Sequence, residues 1–270
     1  MPITQPADPL SGSRLALPRI AEEVPRRGRR SDIAHAALSL LPAPSPRPLL
    51  VYGQGRTGSN LLGSLLACQP RTLFANEVLQ PVSRNADRLV EGLRRRHRGR
   101  HVVVHVKPHH LTDFQRRDPQ DWLRQRAESG WALVHLQRHD TLQHVVSNLV
   151  QNQTGVWHSE SGAAPVQVAV DPEALLYWLE VRAQLLERER EHLAGLEHVL
   201  VVYEEDLEPG PQVWQATADR VFDLLGLPSA PVTTTLRRTN GRPVREVLSN
   251  LEDVARLLRD TRFGHLLDDV

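Results

Sequence analysis

Lysine is almost missing from this chain of 270 residues. Lys107 is the only one, and every other basic side chain apart from histidine is arginine. Where arginine is the habitual base, a retained lysine stands out as a compact, mobile point charge rather than a planar fork. The same bias points to a GC-rich, bacterial genome. Cysteine is equally scarce. A single Cys68 excludes an internal disulfide framework and a multi-cysteine zinc site. Its place at the end of the run Leu61–Cys68 reads as a small buried apolar side chain. No run of about eighteen apolar residues occurs, so the sequence offers no bilayer-spanning helix. The first residues carry prolines and acids, without the basic-then-apolar pattern of a secretory leader, and the expected location is cytoplasmic. Net charge is only +1, which removes the general electrostatic case for nucleic acid or a membrane surface as partner.

What the sequence does contain is concentrated in one stretch, from Leu49 to Leu62. An apolar run enters a loop with Gly53, Gly55 and Gly58, together with Arg56, Thr57, Ser59 and Asn60, and a second apolar run follows. This is the pattern of a strand, a tight turn and a helix N-terminus. Unpaired backbone N–H groups and the helix dipole favour an anion at such a place. Gly53 to Gly58 has the spacing of a P-loop. However, Ser59 stands where that motif needs lysine, and Asn60 where it needs the magnesium-binding Ser or Thr. A P-loop kinase or NTPase-like phosphoryl transferase therefore lacks two of its parts, and a non-catalytic nucleotide-binding module is the other alternative.

Residues 1–47 form a Pro/Arg-rich, partly ordered N-terminal arm with one short helix over Ser31–Leu41 and a Pro-rich spacer before Pro48. Residues 48–270 read as a single α/β domain. Strands are expected at Leu49–Tyr52, Thr72–Phe74, His101–Val106, Ala132–Gln137 and His198–Tyr203. Helices are expected at Ser59–Ala67, Asn85–His97, Trp122–Glu128, Asp140–Val150, Pro172–Leu193, Trp214–Leu225 and Asn250–Leu258. Alternation of this kind predicts a P-loop-like three-layer fold, with a central, mostly parallel sheet flanked by helices. In such sheets ligands gather at the carboxyl ends of the strands. Those ends carry Arg56, Glu77, Lys107 with His109 and His110, Arg138 with His139, and Glu204–Asp206.

Four motifs in this order resemble the sulfotransferases that use 3′-phosphoadenosine 5′-phosphosulfate (PAPS). The loop Gly55-Arg56-Thr57-Gly58-Ser59-Asn60 is similar to their 5′-phosphosulfate loop, and Arg138 to Ser147 to their 3′-phosphate motif. Tyr203–Leu207 followed by Leu225–Pro228 resembles the family's later order, and Arg237-Arg238-Thr239-Asn240 with Val247–Asn250 its C-terminal nucleotide-contacting region. Asn76-Glu77 and Gln153–Trp157 are most similar to the bacterial branch that includes trehalose 2-sulfotransferase. There are two departures. Arg138 and Ser147 stand one residue further apart than in the family, with His139 at the family spacing, and Arg56 replaces a frequent lysine.

The resemblance implies transfer of a sulfonate from PAPS to an acceptor hydroxyl on a carbohydrate, glycolipid or small metabolite, with no metal. It implies that Gly55, Arg56, Thr57, Gly58, Ser59, Asn60, Arg138, Ser147, Arg238, Thr239 and Asn240 hold the donor. Arg56 and Lys107 would stabilise the charge that develops, and either Glu77 or His109 would serve as base. An unperturbed histidine titrates near neutrality, at about 6.5, which favours His109 on chemistry, whereas the branch resemblance favours Glu77. A homodimer follows from the branch resemblance alone. His101, His105 and His109 recur every fourth residue, but the valines between them predict a strand. There this spacing spreads neighbours about 13 Å apart, too far for a shared metal.

Overall fold

Short runs of Leu and Val, bounded by Gly, Pro or polar residues, become strands covered on both faces. In a computed structural model, which describes residues 28–42, 46–154, 167–236 and 243–268, the elements follow one another as alternating strands and helices. The helix α1 spans Arg29–Leu38, the strand β1 Leu49–Tyr52, α2 Ser59–Leu66 and β2 Thr72–Ala75. Then come α3 (Ala86–Arg96), β3 (His101–Val106), α4 (Pro119–Glu128), β4 (Ala132–Gln137) and α5 (Thr141–Thr154). The chain continues through α6 (Pro172–Leu193), β5 (Val199–Val202), α7 (Pro211–Leu225), α8 (Val244–Val247) and α9 (Leu251–Leu258). Two π-helical turns come after β3 and β5: His110–Phe114, separated from the end of β3 by three residues, and Tyr203–Leu207, directly after β5.

The boundaries have local causes. Asn85 caps α3 by accepting the N–H of Arg88 at 3.0 Å, and Asp118 caps α4 by accepting that of Asp121 at 2.9 Å, with Pro119 at the first helical position. Asp140 accepts the N–H of Gln143 at 2.8 Å at the start of α5. Gly226 ends α7 in the left-handed region, at φ 67°.

The described residues fall into two compact units. One draws on 28–139 and 188–236, the other on 140–187 and 243–268. The first contains a five-stranded, all-parallel sheet in the order β2-β3-β1-β4-β5. β1 is central and alternates its burial. Leu49 and Val51 pack with α2 and α7 on one face, while Leu50 and Tyr52 pack with α3 and α4 on the other. This is a three-layer α/β architecture, and burial on both faces explains why the strands read as continuous apolar runs. The arm helix α1 lies against α3, where a Cβ on Gly92 would overlap the backbone of His35. In the second unit α5, the first turns of α6, α8 and α9 share one core around Val146, Leu175, Val247 and Leu258, with a parallel bridge between Val168 and Leu248.

Among the described residues no helix is long and apolar enough to cross a membrane. Cys68 is half-buried rather than enclosed, and its Sγ donates to the carbonyl of Thr233 at 3.1 Å. Its position on the last turn leading out of α2 leaves one side open.

Candidate functional site

The strand order places the ends of β3 and β4 on either side of the end of β1. Side chains from three strand ends therefore meet the glycine loop. Gly53 faces the carbonyl of Leu136 on β4 so closely that no Cβ fits. Gly58 has φ 90°, and a Cβ there would stand 2.7 Å from Cδ2 of Tyr203 and 2.9 Å from Cδ1 of Leu207. The loop is thus pressed between β4 and the π-helical turn after β5, and delivers the chain into α2 with its N–H groups leading.

Side chains within the loop divide their work. Thr57 is buried and donates to the carbonyl of Gln54 at 2.8 Å, which holds the loop in shape. Asn60 accepts from Nδ2 of Asn76 at 2.7 Å, tying the helix start to the turn that carries Glu77. Ser59 is buried at the first position of α2. Arg56 sits at φ 68°, and its Nε is buried without a hydrogen-bond partner. Burial, followed by the neighbouring Arg138, lowers the pKa of this guanidinium from its ordinary value. Two arginines this close, one with an unsatisfied buried donor, form a cationic seat with spare hydrogen-bonding capacity.

Arg138 ends β4 and is fixed on three sides. Its Nη1 donates to the carbonyl of Arg56 at 3.3 Å, its Nε stands 3.4 Å from Oε1 of Glu204, and the guanidinium lies 4.7 Å from the centre of the Tyr203 ring. Glu204 also accepts the N–H of His139 at 2.9 Å. Glu204, one of the acidic residues at the end of the last strand, thus aims the arginine. His139 continues into a buried chain: its Nε2 is 3.3 Å from Oε1 of Gln137, Gln137 Nε2 is 3.0 Å from Nδ1 of His135, and His135 Nε2 is 3.2 Å from Oε2 of Glu189.

The second cluster centres on Glu77. Its carboxylate lies 2.8 Å from Nζ of Lys107, and the same lysine packs over Gly55, where a Cβ would meet Cε at 3.4 Å and Nζ at 3.5 Å. The lone lysine thus spans the distance from the glycine loop to the carboxylate. Two further residues converge from behind. His105 Nδ1 is 3.9 Å from Glu77 Oε1, and His110 Nε2 is 3.9 Å from Oε2, both rings being fully enclosed. His110 Nδ1 accepts the backbone N–H of Lys107 at 3.3 Å, so the ring proton sits on Nε2 and faces the carboxylate. His109 instead packs edge-on against the rings of His110 and Phe114, at 4.8 and 5.5 Å between centroids.

Glu77 has φ 48°, and Arg56 is likewise left-handed. Arg116, on an exposed turn, is the third non-glycine residue with positive φ among the described residues. Such backbone costs of order 1–3 kcal/mol each and persists where the surroundings enforce it, commonly at functional sites. Both site residues meet that description.

Burial, followed by the charge on Lys107, pushes the pKa of His105 down to about 3. Burial also holds His110 far below the ordinary histidine range. Both rings are neutral in the fold but protonate in the unfolded chain below about 6.5. The unfolded state therefore binds more protons, and stability falls as pH drops from 6.5 toward 3. We expect a slope of up to about 1.4 kcal/mol per pH unit for each histidine. Urea unfolding across this range should show that slope flattened in His105→Gln; an unchanged slope would mean that the ring is not held neutral.

Other residues singled out by the sequence belong to the second unit or lie outside the described residues. Ser147 is a buried residue of α5, in the second unit. Arg238, Thr239 and Asn240 lie outside the described residues, as do Gly155–Trp157. Among the described residues no group of histidine, cysteine and acidic side chains has the geometry of a metal site.

No family model matches the chain, and no curated protein does. Among solved structures it is similar to the sulfotransferase domain from the curacin biosynthetic pathway, at 16% identity and a TM-score of 0.42. The similarity covers 70% of this chain and 76% of that one. A likeness this distant bears on no residue's role.

Proposed function

We propose that the chain transfers a sulfonate group from PAPS to an acceptor hydroxyl of a carbohydrate, glycolipid or small metabolite. One observation carries this reading: Lys107 stands at the glycine loop while paired with Glu77. A cation for the departing phosphate and a carboxylate for the incoming hydroxyl are thereby set side by side. The positions where a P-loop needs its own lysine and magnesium-binding hydroxyl hold Ser59 and Asn60, and Asn60 is occupied with Asn76.

The donor set suits an anionic nucleotide. The unsatisfied Nε of Arg56, the N–H groups at the start of α2 and Lys107 would hold the 5′-phosphosulfate, with Arg138 as the arginine for the 3′-phosphate. When bound, that nucleotide supplies the sulfur electrophile and the leaving phosphate. Arg56 and Lys107 then stabilise negative charge growing on the leaving oxygen as the sulfur–oxygen bond breaks. Glu77 takes the proton from the acceptor oxygen as that oxygen bonds to sulfur. The products are the sulfate ester, 3′-phosphoadenosine 5′-phosphate and a protonated Glu77, which returns its proton to solvent. His110 and His105 wall the carboxylate in from behind.

Thermal denaturation with 3′-phosphoadenosine 5′-phosphate against ADP tests the reading. At a hundredfold excess over its dissociation constant the 3′-phosphate nucleotide should stabilise the fold by about 2.7 kcal/mol. Arg138→Ala should remove the preference over ADP. Equal shifts with both nucleotides in the unsubstituted protein, or magnesium-dependent ATP hydrolysis, would replace this reading with that of a phosphoryl transferase.

A further inference from the structure

The arm helix α1 carries apolar residues on its outer side. Ile33, Ala34 and Ala37 on the helix, with Leu40 and Leu41 on the turn that continues it, are all exposed. Leu40 and Leu41 donate their N–H groups to the carbonyls of Ala37 and Leu38 at 3.2 and 3.1 Å, so helical winding carries on through both. At 3.6 residues per turn these positions fall within about one third of the circumference and form one stripe roughly 12 Å long. Ile33, Leu40 and Leu41 are 54%, 81% and 40% exposed, and they are three of the five large apolar side chains exposed among the described residues.

Packing within the first unit does not account for the stripe. On its inner side α1 is held by backbone and polar contacts: Gly92 of α3 meets the backbone of His35, and the Asp32 carboxylate accepts the N–H of Arg84 at 3.1 Å. Among the described residues no side chain of α1 belongs to the apolar clusters on either face of the sheet. A surface helix ordinarily turns its apolar stripe to the core and its charges to water. Here the order is reversed, and exposed apolar residues that are contiguous rather than scattered mark a surface that meets something else.

Charge selects what that is. In the sequence Arg26, Arg27, Arg29 and Arg30 precede or open the helix, Arg30 is exposed, and so is Arg84 beside Asp32. From Arg26 to Pro42 the only acid is Asp32, whose carboxylate is the one engaged at Arg84. We propose that the outer face of α1 docks on an anionic lipid surface, with the arginines at the headgroups and Ile33, Leu40 and Leu41 at the upper acyl chains. Such a surface offers negative charge and an apolar layer a few ångströms apart, which matches a basic run followed by an apolar stripe on one short helix. The long arginine stems let the guanidiniums stay at the headgroups while the stripe dips below them.

Co-sedimentation of the full chain with vesicles of phosphatidylcholine containing about one third phosphatidylglycerol, against phosphatidylcholine alone, tests the proposal. The anionic vesicles should bind at least about tenfold more tightly, and the difference should shrink as salt rises from about 0.1 to about 0.5 M. Leu40→Glu should weaken binding about tenfold or more, and Arg30→Gln about fivefold. Both side chains are exposed, so the melting temperature should not move. Ile33→Gln repeats the test at the other end of the stripe. Arg56→Ala, which alters the glycine loop, should bind vesicles as the unsubstituted chain does. Equal binding to both kinds of vesicle, binding to neither, binding unchanged in Leu40→Glu and Ile33→Gln, or binding lost in Arg56→Ala overturns the proposal. If no vesicles are bound and Leu40→Glu splits a dimer or lowers the melting temperature, the face belongs to a second copy or to another part of this chain, and the lipid surface is excluded.

Discussion

Glu77→Gln is expected to lower the turnover of sulfonate transfer by about 10²- to 10⁴-fold, the usual contribution of a positioned general base. The amide keeps the size of the carboxylate but cannot take the acceptor's proton. It also releases Lys107 from its ion pair, now 2.8 Å long. The freed ammonium remains beside Gly55, so donor binding should hold or tighten while the rate falls. That split between kcat and KM separates loss of a base from general damage to the site. His109→Ala is the matched control, because its ring packs on His110 and Phe114. Initial rates with a panel of hydroxyl acceptors would check both. If Glu77→Gln keeps its rate while His109→Ala loses it, the base has been assigned to the wrong residue.

The second large effect concerns folding. Gly53→Ala should destabilise the chain by about 3 kcal/mol or more, or prevent folding, because the new methyl overlaps a backbone carbonyl rather than a yielding side chain. Gly53 follows β1 directly and donates its N–H to Val106 of β3 at 3.3 Å. The carbonyl in its way belongs to Leu136 on β4, which is paired on its other edge to β5. Neither neighbour can retreat without breaking a ladder. Gly99→Ala provides the comparison: nothing lies within 4 Å of its Cβ position, and the change should stay within about 0.5 kcal/mol. Urea unfolding of both variants measures the difference. Equal stabilities would show that the loop is not clamped between strands.

Much of the scaffold was legible because its causes are local. The alternation of apolar runs with capped, periodic segments placed all five strands, and α6 from its first residue to its last. The helix expected over Asn85–His97 is α3, and the Asn85 side chain caps it. The two π-helical turns were not legible, since their backbone is set by what packs around the strand ends. The site was half visible. Arg56, Glu77, Lys107 and Arg138 could be found as charged residues at strand ends. His105 looked like one member of a repeat along a strand, and His110 stood only in the set of residues at the end of the third strand.

The sequence by itself therefore determined the α/β alternation, the glycine loop with its missing P-loop lysine, and the set of strand-end charges. These depend on hydrophobic period, turn chemistry and residue type. Only the tertiary structure decided partnership: that Lys107 reaches both Gly55 and Glu77, and that Glu204 aims Arg138. Those pairings join residues far apart in the chain. Their geometry comes from strand order and from burial, which bring unlike elements together and exclude the water that would otherwise satisfy them.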